Sequence, residues 1–220
     1  TLAPNSVQEM VDFVGLGLEL AFKYRNPALI LSDGIIGQMM EKVILPPFKK
    51  RRTEDEIRKQ CPWATLGRKG GRQPNIITSL ELDSAVMEQN NLRFQKKYAE
   101  IEANEVRYEE YQTEDADYIL VAFGSSARIC NKTVQLAREQ GIKVGILRPI
   151  TLWPFPTKEI AKLADRTKGF LVAELNAGQM IEDVRLAVNG KVPVEHYGRM
   201  GGMLFSPDEI LQALKEKVIK

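Results

Sequence analysis

The chain has 220 residues, 44% of them hydrophobic and 27% charged, which is enough apolar material for one large core or two small ones and excludes a disordered or fibrous class. Its 31 Lys and Arg against 29 Asp and Glu leave a formal net charge of +2, so no global field recruits nucleic acid or an anionic membrane. Two cysteines, Cys61 and Cys130, and one histidine, His196, are too few for a disulfide scaffold, for an iron–sulfur cluster needing about four thiolates, or for a zinc site built from this chain alone.

No stretch reaches the roughly 20 apolar residues of a membrane span, and the start lacks a signal peptide, so the expected compartment is the cytoplasm. The first residue is Thr1 rather than Met and a strong helix follows at once, as in a processed or truncated chain. Ser6 and Glu9 have the form of a capping box, and Val7, Met10, Val11, Val14, Leu18, Ala21 and Phe22 recur at helical spacing, which predicts a helix from Val7 to Arg25. Asn26-Pro27 stops it. The apolar run Ala28 to Leu31, ending in Ser32-Asp33-Gly34, predicts a strand buried on both faces of a parallel sheet. One helix and one strand do not make a domain, so residues 1–44 read as the end of a larger α/β unit.

Residues 45–116 read as a connector. Pro46-Pro47, the run Lys49-Lys50-Arg51-Arg52, Pro62, Gly67, Gly70-Gly71 and Pro74 give punctuation without periodicity. Leu82 to Ala103 then predicts a long, partly exposed helix with Phe94, Tyr98 and Ile101 as its narrow packing stripe. Residues 117–220 alternate: strands at 118–123, 143–147, 169–173 and 192–196, with helices at 125–140, 156–163, 178–188 and 207–218. That order predicts a parallel α/β domain.

In such a sheet, ligands bind at the carboxyl ends of the strands, so the loops there are the ones to inspect. Gly124-Ser125-Ser126 has the form of an anion cradle, but a strand-to-helix turn with a serine cap is the better expectation. Glu174, Asn176 and Gln179 follow an apolar strand, and a carboxylate with two amides is costly to gather without partners. They form either a ligand or interface edge, together with Arg199, Gly201 and Gly202, or a local cap network. The basic run Lys49 to Arg52 lies beside acids and lacks interleaved aromatics, which predicts a solvated loop and not a nucleic-acid patch. His196 and Cys130 read as structural.

The combination Ala3-Pro4-Asn5-Ser6-Val7-Gln8-Glu9, Tyr24-Arg25-Asn26-Pro27, Leu31-Ser32-Asp33-Gly34 and Gly37-Gln38-Met39-Met40-Glu41 resembles the alpha subunit of 2-oxoacid:ferredoxin oxidoreductases. In the second half, Gly124-Ser125, Arg148-Pro149-Ile150-Thr151-Leu152-Trp153-Pro154-Phe155-Pro156, Glu174-Leu175-Asn176-Ala177-Gly178-Gln179-Met180 and Gly198-Arg199 with Gly201-Gly202 resemble that family's transketolase-C-terminal-like domain. Around Pro62-Trp63-Ala64-Thr65 the connector is most similar to the type acting on 3-methyl-2-oxobutanoate, with the 2-oxoglutarate type second.

The resemblance implies a fold made of the last part of a pyrimidine-binding α/β domain (1–44), a connector arm (45–116) and a transketolase-C-terminal-like parallel domain (117–220). It implies an oxidoreductase that converts a 2-oxoacid and coenzyme A to acyl-CoA and CO2. Thiamine diphosphate and magnesium would be held largely outside this chain, iron–sulfur clusters would sit on a partner chain, and ferredoxin would take the electrons. The implied partners are the other subunits, with no nucleic acid and no membrane. Asp33-Gly34 followed by Asn90-Asn91 evokes the thiamine diphosphate motif, but Ser32 replaces its first glycine and the separation is too long, so a self-contained pyrophosphate and metal site is not expected. The family's activating glutamate and its substrate-contacting Thr and Arg would lie upstream of Thr1. No catalytic residue and no metal ligand is therefore assigned; Asp33, Gly34 and Gln38 form the candidate cofactor-side loop. A non-redox nucleotide-binding or regulatory α/β module is the alternative.

Overall fold

The computed structural model describes residues 1–65, 67, 71 and 73–219; Gly70, part of the connector's glycine punctuation, lies outside them. Thr1–Ile44 and the residues from Tyr98 onward form one compact unit, and Leu45–Lys97 form a second.

In the first unit the Ser6 side chain accepts from the Glu9 amide and starts α1 (Val7–Tyr24), which ends at Arg25 in the left-handed region. Glu9 does not close a capping box as its spacing suggests. Its carboxylate accepts from the Asn5 amide at 2.8 Å and from both terminal nitrogens of Arg148, because a buried guanidinium needs a paired anion more than an exposed amide needs a cap. The strand expected at Ala28–Leu31 is represented among the described residues by a single bridge, Ile30 to Leu2, and Leu29 and Leu31 are exposed. Asp33 then caps the short α2 (Gly34–Gln38).

The second unit contains α3 (Glu54–Gln60), started by a complete capping box between Thr53 and Glu56, where the sequence reading placed only connector. α4 (Ser84–Asn104) follows, and its final turns belong to the first unit, where Ile101 is buried and the Tyr98 ring stands edge-on to Trp153.

The remaining elements are β1 (Tyr108–Tyr111), β2 (Tyr118–Val121), α5 (Gly124–Glu139), β3 (Val144–Pro149), α6 (Thr157–Ala164), β4 (Gly169–Glu174), α7 (Met180–Val188), β5 (Val194–Gly198) and α8 (Pro207–Leu214), then a π-helical turn, Lys215–Ile219. The sheet order is β1-β3-β2-β4-β5, parallel throughout except for β1, which lies antiparallel on the β3 edge. The fold is the expected α/β class with a mostly parallel sheet. Alternation along β2 divides the core. Leu120 joins Cys130, Val134, Ile146, Leu171 and Ile210 on one face, while Ile119 and Val121 join Leu147, Ile160, Phe170 and Val184 on the other. Both cysteines are free and buried, and burial pushes the Cys130 thiol up, so it packs as a small apolar group. Among the described residues no helix is long and apolar enough to cross a membrane.

Candidate functional site

The parallel strands deliver two groups of the residues singled out above to their carboxyl ends. The first is built on Glu174, the buried last residue of β4. Its Oε1 accepts from the Ile181 amide at 3.1 Å, its Oε2 from Met180 at 2.9 Å, and both oxygens lie 3.2 Å from the Gln179 amide. These are the unsatisfied N–H groups at the positive end of α7, so the carboxylate caps that helix from the strand beside it. Asn176 completes the turn: its Nδ2 donates to Glu174 Oε2 at 3.1 Å and its Oδ1 accepts from the Gly178 amide at 2.7 Å. The Gln179 side chain is exposed.

Gly198, at the end of β5, permits this packing. A Cβ there would stand 2.2 Å from the Asn176 carbonyl oxygen and 2.4 Å from His196 Cε1. The His196 Nε2 is buried without a hydrogen-bond partner, 3.8 Å from Glu174 Oε1. Burial holds the imidazole below its ordinary value; Glu174 pulls it up, while Lys217 and Arg185 push it down. The histidine packs inside the turn with its Nε2 unpartnered, where its place at a strand end suggested a satisfied structural histidine.

Arg199 donates its backbone N–H to the Glu174 carbonyl at 3.2 Å and its Nη2 to Glu209 Oε1 at 2.8 Å, and Glu209 in turn closes the capping box that starts α8. Gly201 and Gly202 adopt φ of 68° and 87° in open space, in a loop that also exposes Met200 and Met203. The edge therefore presents the Gln179 amide, thioethers and open glycine backbone to solvent, while its two acids are engaged internally.

The second group joins the two halves of the first unit. Asp33 Oδ1 accepts from the amides of Ile35 and Ile36, both at 3.0 Å, and its Oδ2 accepts from the Ser125 amide at 2.8 Å. Gly124, at φ 59°, makes this approach: a Cβ there would sit 2.7 Å from Asp33 Oδ2. This corrects the serine-cap expectation. α5 has no side-chain cap of its own, Ser125 Oγ is buried without a partner, and the anion at the helix start is a carboxylate from 92 residues upstream. Gly34 and Gln38 are exposed beside it.

Two further ion-paired groups were not singled out in sequence. Arg148, 3% exposed, grips Glu9 through Nη1 at 3.0 Å and Nη2 at 2.7 Å, with Glu109 3.2 Å from its Nε. Glu105 takes the Lys23 ammonium and the Tyr24 hydroxyl, each at 2.7 Å, and Arg107 Nη1 at 2.9 Å, on the wall of a cavity of about 230 Å³ lined by Leu2, Leu20, Leu29, Ile101 and Trp153. Both pair residues far apart in sequence, so no local spacing announces them; Arg148 within an apolar strand was the one available signal.

Comparison with known proteins follows the same division. The family model described as pyruvate flavodoxin/ferredoxin oxidoreductase, thiamine diphosphate-binding, matches residues 1–115, and that described as pyruvate:ferredoxin oxidoreductase core domain II matches residues 116–210. Among curated proteins, the ketoisovalerate oxidoreductase subunit VorB of Methanothermobacter marburgensis is 46% identical over 98% of this chain and 59% of its own length. The 2-oxoglutarate synthase subunit KorA of the same organism is 31% identical over 97% of this chain and 62% of its own length. The chain thus spans about three-fifths of the length of these relatives. A solved 2-oxoglutarate:ferredoxin oxidoreductase from Magnetococcus marinus superposes with a TM-score of 0.73 at 22% identity, covering 99% of this chain and 42% of that one, which shows the shared fold.

Proposed function

The chain belongs to the pyruvate flavodoxin/ferredoxin oxidoreductase family, and from that premise we propose that it is part of a multi-subunit enzyme that oxidises a branched-chain 2-oxoacid. The balanced reaction takes one 2-oxoacid, one coenzyme A and two oxidised ferredoxins to acyl-CoA, CO2, two reduced ferredoxins and a proton. The observation that carries this reading is the 46% identity to a ketoisovalerate oxidoreductase subunit, against 31% to a 2-oxoglutarate synthase subunit, over nearly the same residues.

Thiamine diphosphate supplies the carbanion chemistry of such an enzyme when bound. The residues here do not fit its pyrophosphate and magnesium end. Asp33 has both oxygens taken by three backbone amides, and among the described residues no three His, Cys, Asp or Glu side chains gather to hold a metal. We therefore place the magnesium site in other parts of the enzyme and the iron–sulfur clusters on a partner chain. In this reading Gly34 and Gln38 are the cofactor-facing part of their loop, and Asp33 is the clasp that holds that loop to α5. Gln179, Gly201 and Gly202 form a subunit or ligand edge, set in place by Glu174, Asn176 and Arg199.

The substrate preference has a physical basis: a pocket shaped for an aliphatic side chain leaves the second carboxylate of 2-oxoglutarate desolvated and unpaired. Steady-state kinetics of the full-length protein with its partner subunits test it. A kcat/KM for 3-methyl-2-oxobutanoate at least ~10-fold above that for 2-oxoglutarate is expected; the reverse order reassigns the substrate within the same family.

A further inference from the structure

His196, the one histidine of the sequence, is packed where a proton would act on the carboxyl-end edge. Its Nε2 is buried without a hydrogen-bond partner among the described residues, and Glu174 Oε1 lies 3.8 Å away, beyond hydrogen-bonding reach. Two glycines crowd the ring: a Cβ at Gly198 would stand 2.9 Å from Nε2 and one at Gly178 3.6 Å. The side chain as a whole is 23% exposed, so solvent protons reach it. Charged groups face it from three elements: Glu174 at the end of β4, Arg185 on α7, and Lys217 in the C-terminal turn, whose ammonium donates to the His196 carbonyl at 2.8 Å. Burial opposes an imidazolium most; Glu174 favours one, and Lys217 and Arg185 oppose it.

The oxygen that an imidazolium would seek is already in use. Glu174 Oε1 accepts from the Ile181 amide at 3.1 Å and the Gln179 amide at 3.2 Å, as part of the cap that starts α7. Closing 3.8 Å to hydrogen-bonding distance moves the carboxylate or the ring by about 1 Å, so a proton on Nε2 sets the imidazole against the helix start for one acceptor. The neighbouring loop is tied to the same residue, since the Arg199 amide donates to the Glu174 carbonyl at 3.2 Å. We propose that His196 is an acid-operated release for this edge: protonation draws Glu174 Oε1 toward Nε2, loosens the amide cap of α7, and frees the 176–179 turn with the 198–202 segment packed on it. The sign follows from linkage. The packed imidazole is held below the ordinary 6.5, so the opened edge binds the proton more readily than the closed one, and closure is lost as the pH falls below 6.5.

The test follows hydrogen exchange at the amides of Gln179, Met180 and Ile181 in the full-length protein from about pH 8 to about pH 5. Each rate is divided by that of an unstructured peptide at the same pH, so that only opening of the edge is read. Protection is expected to fall at least ~3-fold below pH 6.5, in step with the His196 imidazole titration followed by NMR, and to be independent of pH in His196→Gln and His196→Leu. Parent protection that does not change with pH overturns the proposal. A fall that both variants retain also overturns it, because another group, such as Glu174 itself, is then the one titrating. So does an imidazole midpoint at 6.5 or above, since acid then tightens the edge. The two readings on the parent decide the question even where a variant fails to fold. Neither reading involves turnover, so the result stands apart from that of 2-oxoacid oxidation.

Discussion

Glu105 shows how three donors decide the state of one buried acid. Burial pushes its carboxyl up, but the hydrogen bonds from Lys23, Tyr24 and Arg107 outweigh that and hold it at about 2. The folded value lies below the ordinary 4.5, so ionised Glu105 stabilises the fold above pH 4.5, and that contribution is lost as the pH falls toward 2. Glu105→Gln is expected to cost about 1–3 kcal/mol at neutral pH, because it leaves Lys23 and Arg107 facing a neutral amide. Thermal melts of parent and variant are expected to converge as the pH falls from 4.5 toward 2; a gap that stays constant across that range contradicts the assignment. Glu174 reaches a comparable density of hydrogen bonds by another route, through the amides that open α7 instead of cationic side chains, and the bare Gly198 leaves room for the surrounding turn.

Between elements, the informative contact is the Asp33 carboxylate linking α2 to α5. Asp33→Ala unpairs the amides of Ile35, Ile36 and Ser125 together and is expected to lower stability by about 1–3 kcal/mol in urea unfolding, with Asp33→Asn intermediate because one carbonyl acceptor remains. An alanine variant as stable as the parent removes the clasp from the fold. This contact also marks the limit of local sequence reading. The turn Gly124-Ser125-Ser126 and the helix after it were legible, but a cap supplied from 92 residues upstream has no local signature. Strands β2 to β5 were legible because buried parallel strands are short apolar runs set off by turns. β1, Tyr-Glu-Glu-Tyr, was missed: an exposed edge strand has no apolar face to alternate. α3 was missed although Thr53 and Glu56 spell its capping box, since none of its residues is buried and the Pro, Gly and Lys-Arg punctuation around it dominates the pattern. At Ala28–Leu31 the apolar run forms one bridge, Ile30 to Leu2, among the described residues, and the larger α/β unit expected to bury it is not tested by them.

For the whole molecule, the class of fold and the family were readable from the order of several weak loop motifs, none specific alone. The roles of individual site residues were not. The carboxyl-end loops were correctly located as polar clusters, but whether Glu174 faces a ligand or a helix start depends on where α7 begins relative to β4, which only the three-dimensional structure supplies. In these clusters Asp33, Glu174 and Glu209 are engaged internally, and in the proposed reading the chemistry falls to groups outside them. The most direct measurement is anaerobic reduction of ferredoxin by the full-length protein assembled with its partner subunits, thiamine diphosphate and magnesium, with 3-methyl-2-oxobutanoate as substrate. Reduction that depends on coenzyme A and yields one acyl-CoA and one CO2 for every two ferredoxins reduced is the expected result. Failure of any 2-oxoacid to support coenzyme A-dependent reduction contradicts the proposed activity.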